Sequence, residues 1–136
     1  MQTQSIDVEW THGLNFDAHA DEYTLQLSSP AENYVGGVGP KRLLLVALAG
    51  CTGMDVASLL PKMRAPFSSI KVSATGDLTE EHPKFYHTIH INFEVGIDEE
   101  FRPKVERAVD KSINQYCGVH AMLVKAAKIT YDIKLV

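Results

Sequence analysis

Three short alternating segments open the chain: SIDVEW, GLNFDAH and EYTLQLS. Ile6, Val8 and Trp10 alternate with Asp7 and Glu9, the period-two pattern of a strand with one face in the core. THG and HADE between the segments supply turns, so the pattern predicts an N-terminal three-stranded meander. SSPAENYVGGVGP, with three glycines and two prolines, then reads as a loop that ends in a helix start. Gly39 takes the cap position and Pro40 the first helical position. From Pro40 to about Met63 the chain is apolar on nearly every side. The run is long enough to tempt a membrane span. Asp55, Thr52, Ser58 and two glycines, in a run that has no second copy, predict instead a helix buried in the core of a soluble domain.

Past PKMRAPFSS, the segment IKVSATGDL puts Ile70, Val72 and Ala74 on one face. TEEHPK is a hairpin connection to the clearest strand, in which Phe85, His87, Ile89, Ile91, Phe93, Val95 and Ile97 alternate with polar neighbours. A second, amphipathic helix runs from about Glu100 to Tyr116. Its apolar side carries Phe101, Val105, Ala108, Val109, Ser112, Ile113 and Tyr116. Gly118 is its expected C-terminal stop, VHAMLVKAA adds a short helical stretch, and KITYDIKLV closes the chain as a strand. Strands and helices mix without regular βαβ alternation, so the class is α+β. At 136 residues the chain fits one domain spanning 1–136.

Charge narrows the function classes. The net charge of −4 is spread along the chain, and Lys and Arg form no block of the kind that follows nucleic-acid phosphates, so no nucleic-acid partner is expected. MQTQSIDVEW has neither the basic nor the apolar region of a secretory signal, which points to the cytoplasm, with no membrane partner. A permanent disulfide does not persist in a reducing compartment. The two cysteines, Cys51 and Cys117, are there more often redox-active or metal-binding than a structural staple.

Cys51 stands in the middle of the apolar helix among small neighbours, AGCTG. Free cysteine is among the most buried residue types and behaves as a small hydrophobe, so a plain core residue and a reactive thiol in a dry pocket both fit. Cys117 falls four residues past Ile113, on the buried side of the second helix. The negative end of that helix dipole disfavours a thiolate there, which makes Cys51 the better nucleophile of the two. Asp55, four residues after Cys51 and on its face, is either a carboxylate that raises the thiol pKa or a hydrogen-bond acceptor for a backbone or Tyr group. Lys41 lies about 80° round the helix from Cys51, and Arg42 is roughly opposite it. Of the six histidines, His87 and His90 are expected on opposite faces of a strand. CGVH offers Cys117 and His120, which with Cys51 and Asp55 would form a mixed S/N/O site suited to zinc. The spacing is no recognised zinc signature, so neither metal nor cofactor is expected.

GVGPKRLLLVALAGCTGMDV together with INQYCGVH resembles the OsmC/Ohr family of small bacterial redox proteins. That family carries a Pro eleven residues before a helical cysteine, in a segment like P-x-E-x-L-L-x-A-x-x-x-C, and a second cysteine at the end of the next helix. Pro40 to Cys51 has that spacing, and Tyr116-Cys117 fits the second motif. The resemblance covers essentially the whole chain. It is closest to an OsmC-like branch of uncharacterised redox proteins in which Asp follows the first cysteine by four residues, here Asp55.

The resemblance implies an intertwined homodimer with two central helices packed on antiparallel sheet and active sites at the subunit interface. It implies reduction of organic hydroperoxides, with Cys51 as the attacking and Cys117 as the resolving cysteine, reset by a dithiol reductant. Family peroxidases use an N-terminal arginine and a glutamate just after the motif proline. This chain has no arginine before Arg42 and has Lys41 and Arg42 where the glutamate stands. Two readings follow: a thiol-dependent peroxidase, or a non-catalytic dimer that binds a small hydrophobic ligand in its interface pocket.

Overall fold

Two left-handed residues shape the first sheet. Gly13 (φ 53°) and Asp21 (φ 55°) turn the chain back on itself, a backbone region open to Gly and tolerated by Asp. They join β1 (Asp7–His12), β2 (Asn15–Ala20) and β3 (Tyr23–Leu27) into an antiparallel sheet in that order. The expected meander is present. The computed structural model describes every residue from Met1 to Val136, in two compact units, Met1–Leu44 and Leu45–Val136.

In the first unit the register lines up Val8, Ala18 and Leu25 in one row, and Trp10, Phe16 and Leu27 in another. The intervening rows, Asp7–His19–Thr24 and Glu9–Asp17–Gln26, are polar. The sheet is therefore amphipathic, as directly opposed residues share a face. The half-burial expected of β1 is not found: all six of its residues are exposed, with Val8 at 50% and Trp10 at 63%. The alternation does mark an apolar face, on which Val8, Trp10 and Leu25 stay exposed while Ala18 is buried.

Gly39 caps the following helix, accepting the Leu43 N–H at 3.2 Å. A Cβ at Gly39 would lie 2.4 Å from Cε1 of Tyr34, so the position has room only for glycine. The Tyr34 ring in turn carries the Arg42 guanidinium, 4.0 Å above its centre.

Helix α1 spans Pro40–Lys62. Its buried positions are Leu48, Thr52, Val56 and Leu60, one stripe at a spacing of four. The expectation of burial on nearly all sides is thus corrected: Val46 and Met54 are exposed, Met54 at 75%. An i, i+4 stripe gives one contact face, and the core of the second unit meets α1 along that face only. By length and composition α1 also meets the requirement for crossing a membrane.

In the second unit, β4 (Ser69–Leu78) pairs antiparallel with β5 (Tyr86–Gly96) from Ser69↔Gly96 to Leu78↔Tyr86. The last strand, β6 (Lys128–Leu135), joins the other edge of β5 in parallel, Thr88 opposite Lys128 and Val95 opposite Leu135. The sheet expected to be antiparallel is therefore mixed. Parallel neighbours require a long crossover, and residues 97–127 provide it with α2 (Arg102–Lys111) and α3 (Gly118–Leu123). Ile89, Ile91, Phe93 and Val95 of β5 are buried with Leu48, Val56 and Leu60 of α1 and Val105, Ala108 and Val109 of α2 in a single core cluster. His87 and His90 face opposite ways on β5, as expected; His90 bridges Thr130 Oγ1 (2.6 Å) and Asp132 Oδ2 (3.1 Å) on β6.

Candidate thiol site

The junction between α2 and α3 does not stop at Gly118 as a helix C-terminus would. Residues Ser112–Tyr116 form a π-helical turn, and the Cys117 N–H donates to the Ser112 carbonyl at 2.8 Å, an i to i−5 bond. Such turns insert one extra residue into a helix and recur at functional sites. Here the backbone bond from Cys117 closes on Ser112 and not on Ile113. Cys117 then leaves the helix with an extended backbone (φ −76°, ψ 102°) and caps α3, its Sγ accepting the His120 N–H at 3.3 Å. Gly118 is thus the first residue of a new helix. Its predicted role as a C-terminal stop is corrected, because Cys117 itself makes the break.

Opposite this junction, Cys51 and Asp55 lie one turn apart on α1, flanking its buried stripe and both half-buried. Thr52, fully buried beside them, donates its hydroxyl to the Leu48 carbonyl at 2.9 Å. The Cys51 and Cys117 sulfurs and a carboxylate oxygen of Asp55 all lie within 4.8 Å of one another. Both cysteines are free thiols. Fully buried Ser112 donates its hydroxyl to Asp55 Oδ2 at 2.9 Å. Asp55 is therefore a hydrogen-bond acceptor, and its donor is a serine where a backbone or Tyr group was expected.

Cys117 is 4% exposed. Burial pushes its thiol up to about 11, a hydrogen bond with Cys51 adds to the rise, and the His120 N–H partly offsets it. Burial, and not the end of a helix dipole, is the main cause of that rise. Burial also lowers the His120 imidazole below its ordinary value.

The structure assembles Cys51, Asp55 and Cys117 from the predicted residues. His120 meets Cys117 through its backbone N–H, and its imidazole is not in the S/O cluster. Lys41 and Arg42 lie exposed on the first turn of α1 in the N-terminal unit, Arg42 over Tyr34. In the sequence, Ser112 belongs to the apolar face of the second helix and carries no separate role. The signal for it was there: one hydroxyl on the apolar side of α2 and one carboxylate in an apolar helix each need a polar partner once buried.

Residues 31–132 match the family described as OsmC-like protein. Protein YhfA of Escherichia coli is 31% identical over 131 residues, covering 95% of this chain and 96% of its own. A hypothetical protein from Aquifex aeolicus has a similar structure, with TM-score 0.84 at 28% identity, over 100% of this chain and 99% of its own. An organic hydroperoxide resistance protein OsmC from Legionella pneumophila shares the fold at 13% identity, with TM-score 0.71 over 98% of this chain and 99% of its own. With the family match covering three quarters of its residues and its cysteine pair drawn together, the chain belongs to the OsmC-like family.

Proposed function

We propose that this protein is a thiol-dependent redox protein that reduces organic hydroperoxides in the cytoplasm, working as a homodimer and reset by a dithiol reductant. The observation that carries the reading is the free dithiol: two unbonded sulfurs within 4.8 Å, one on α1 and one on the π-helical junction. That spacing is short enough for side-chain rotation to reach the 2.05 Å or so of a disulfide. The fold shared with a hydroperoxide resistance protein adds support.

In the proposed cycle the Cys51 thiolate attacks one peroxide oxygen, the O–O bond breaks, and the alkoxide takes a proton and leaves as alcohol. Cys51 is then a sulfenic acid. Cys117, kept as a thiol by its burial, attacks the Cys51 sulfur. Its proton passes by way of Asp55 to the departing hydroxide, giving water and the disulfide. Ser112 holds Oδ2 of Asp55, which leaves Oδ1 for the proton. The cycle assigns no step to Lys41 or Arg42.

The test is hydroperoxide consumption in the presence of a dithiol. Cys51→Ser is expected to fall to the protein-free rate. Treated with hydroperoxide in the absence of dithiol, Cys117→Ser is expected to react once and accumulate a sulfenic acid that a dione reagent captures. A Cys51→Ser protein that consumes hydroperoxide at the wild-type rate overturns the assignment.

A further inference from the structure

We infer that Cys51, Asp55 and Cys117 form a binding site for a thiophilic divalent cation of the zinc class, occupied in the reduced protein. Three features of the cluster carry this. The first is the donor set. Two sulfurs and a carboxylate oxygen lie within 4.8 Å of one another. A tetrahedral zinc centre has Zn–S near 2.3 Å and Zn–O near 2.1 Å, which sets its ligand atoms about 3.5–3.8 Å apart. Side-chain rotations of the order of an ångström therefore close the three atoms on one ion. The soft sulfurs select against Mg²⁺ and Ca²⁺.

The second feature is support for the ligands from behind. Ligating carboxylates and thiolates are oriented by hydrogen bonds from a surrounding shell. Ser112 fixes Oδ2 of Asp55, leaving Oδ1 without a hydrogen bond, and the His120 N–H points at Cys117 Sγ. Both donors are held by the fold itself. Ser112 is fully buried, and the π-helical turn it starts places Cys117.

The third feature is charge. Deprotonated, the two sulfurs and Asp55 carry three negative charges, and no basic side chain forms a hydrogen bond or ion pair with any of them. A divalent cation is the partner whose chemistry suits that set, and three protein ligands leave a fourth position open. Nothing in the Cys51–Cys117 spacing along the chain signals such a site, because its ligands come from α1 and from the junction before α3.

One consequence rests on the redox reading above. When a hydroperoxide oxidises the pair, each thiolate gives up one electron, the S–S bond forms, and the O–O bond takes those two electrons and two protons from solvent to give alcohol and water. No thiolate remains, so the metal is released.

The test is titration of reduced, metal-free protein with Co²⁺ alone, and with Zn²⁺ in competition. The expected result is one ion per chain, with a sulfur-to-cobalt charge-transfer band and the intense visible bands of tetrahedral cobalt. Ser112→Ala is expected to weaken binding about 10–100-fold. Asp55→Asn, which keeps an oxygen for Ser112, is expected to weaken it while the far-UV circular dichroism stays that of the wild type. Absence of saturable binding, or binding that keeps its charge-transfer band in both Cys51→Ser and Cys117→Ser, overturns the site. Hydroperoxide is applied separately to metal-free protein. Cobalt binding without disulfide formation upholds the site while removing the redox reading, and disulfide formation without cobalt binding does the reverse.

Discussion

At the residue scale, the site divides into what the sequence names and what only packing supplies. Cys51, Asp55 and Cys117 are legible because each breaks its surroundings: a thiol and a carboxylate in an apolar helix, a thiol at a helix end. Ser112 is not, since a single hydroxyl on an apolar face carries no sign of its partner 57 positions away. The zinc-type grouping with the His120 imidazole failed for a related reason. Spacing along CGVH places its backbone, and the cap geometry at Cys117 turns the backbone N–H to the sulfur in place of the ring. The raised Cys117 thiol has a consequence for stability. Folded, it titrates at about 11 against an ordinary value of 9.0. The unfolded chain therefore loses this proton first as pH rises, so its contribution to stability is whole below pH 9.0 and is lost toward about 11. Urea unfolding of wild type and Cys117→Ser across that range is the check. The stability difference between them is expected to be constant below pH 9.0 and to shift against the wild type above it. A difference independent of pH contradicts the buried thiol.

At the element scale, periodicity gave the strands and helices their places because each has one apolar face, and the pair Gly39-Pro40 marked the start of α1. Three features escaped it. Alternation carries no direction, so the parallel pairing of β6 with β5 was invisible; it follows from the helical crossover between them. The π-helical turn leaves no mark in an apolar count, since it shifts phase by one residue near a helix end. The one-sided burial of α1 was hidden because its exposed residues, Val46 and Met54, are as apolar as its buried ones. The buried stripe should carry the helix's contribution to stability. Leu60→Ala is expected to cost about 2–5 kcal/mol, and Val46→Ala, at an exposed position, within about 0.5 kcal/mol in the isolated chain. Denaturant unfolding at a concentration where the protein is monomeric measures both; equal costs would mean that the stripe does not hold α1.

At the scale of the whole molecule, the fold leaves large apolar side chains open in both units. Val8, Trp10 and Leu25 are exposed on the N-terminal sheet, and Val46 and Met54 on α1. Open apolar surface of this kind marks interaction sites, and a second copy of the chain is the proposed occupant. Light scattering is expected to give a dimer mass, and a monomer at every concentration contradicts that part of the proposal. Alternation in the sequence indicated the face of the N-terminal sheet and gave no sign of the one on α1, and the exposure of both became visible only once the chain was folded. The central claim, that Cys51 and Cys117 form a working redox pair, is tested most directly by intact mass and peptide mapping after organic hydroperoxide is added to the reduced protein. The account predicts the loss of two hydrogens and a peptide pair joined through Cys51 and Cys117. Two free thiols persisting in excess hydroperoxide, with the fold intact, would contradict it.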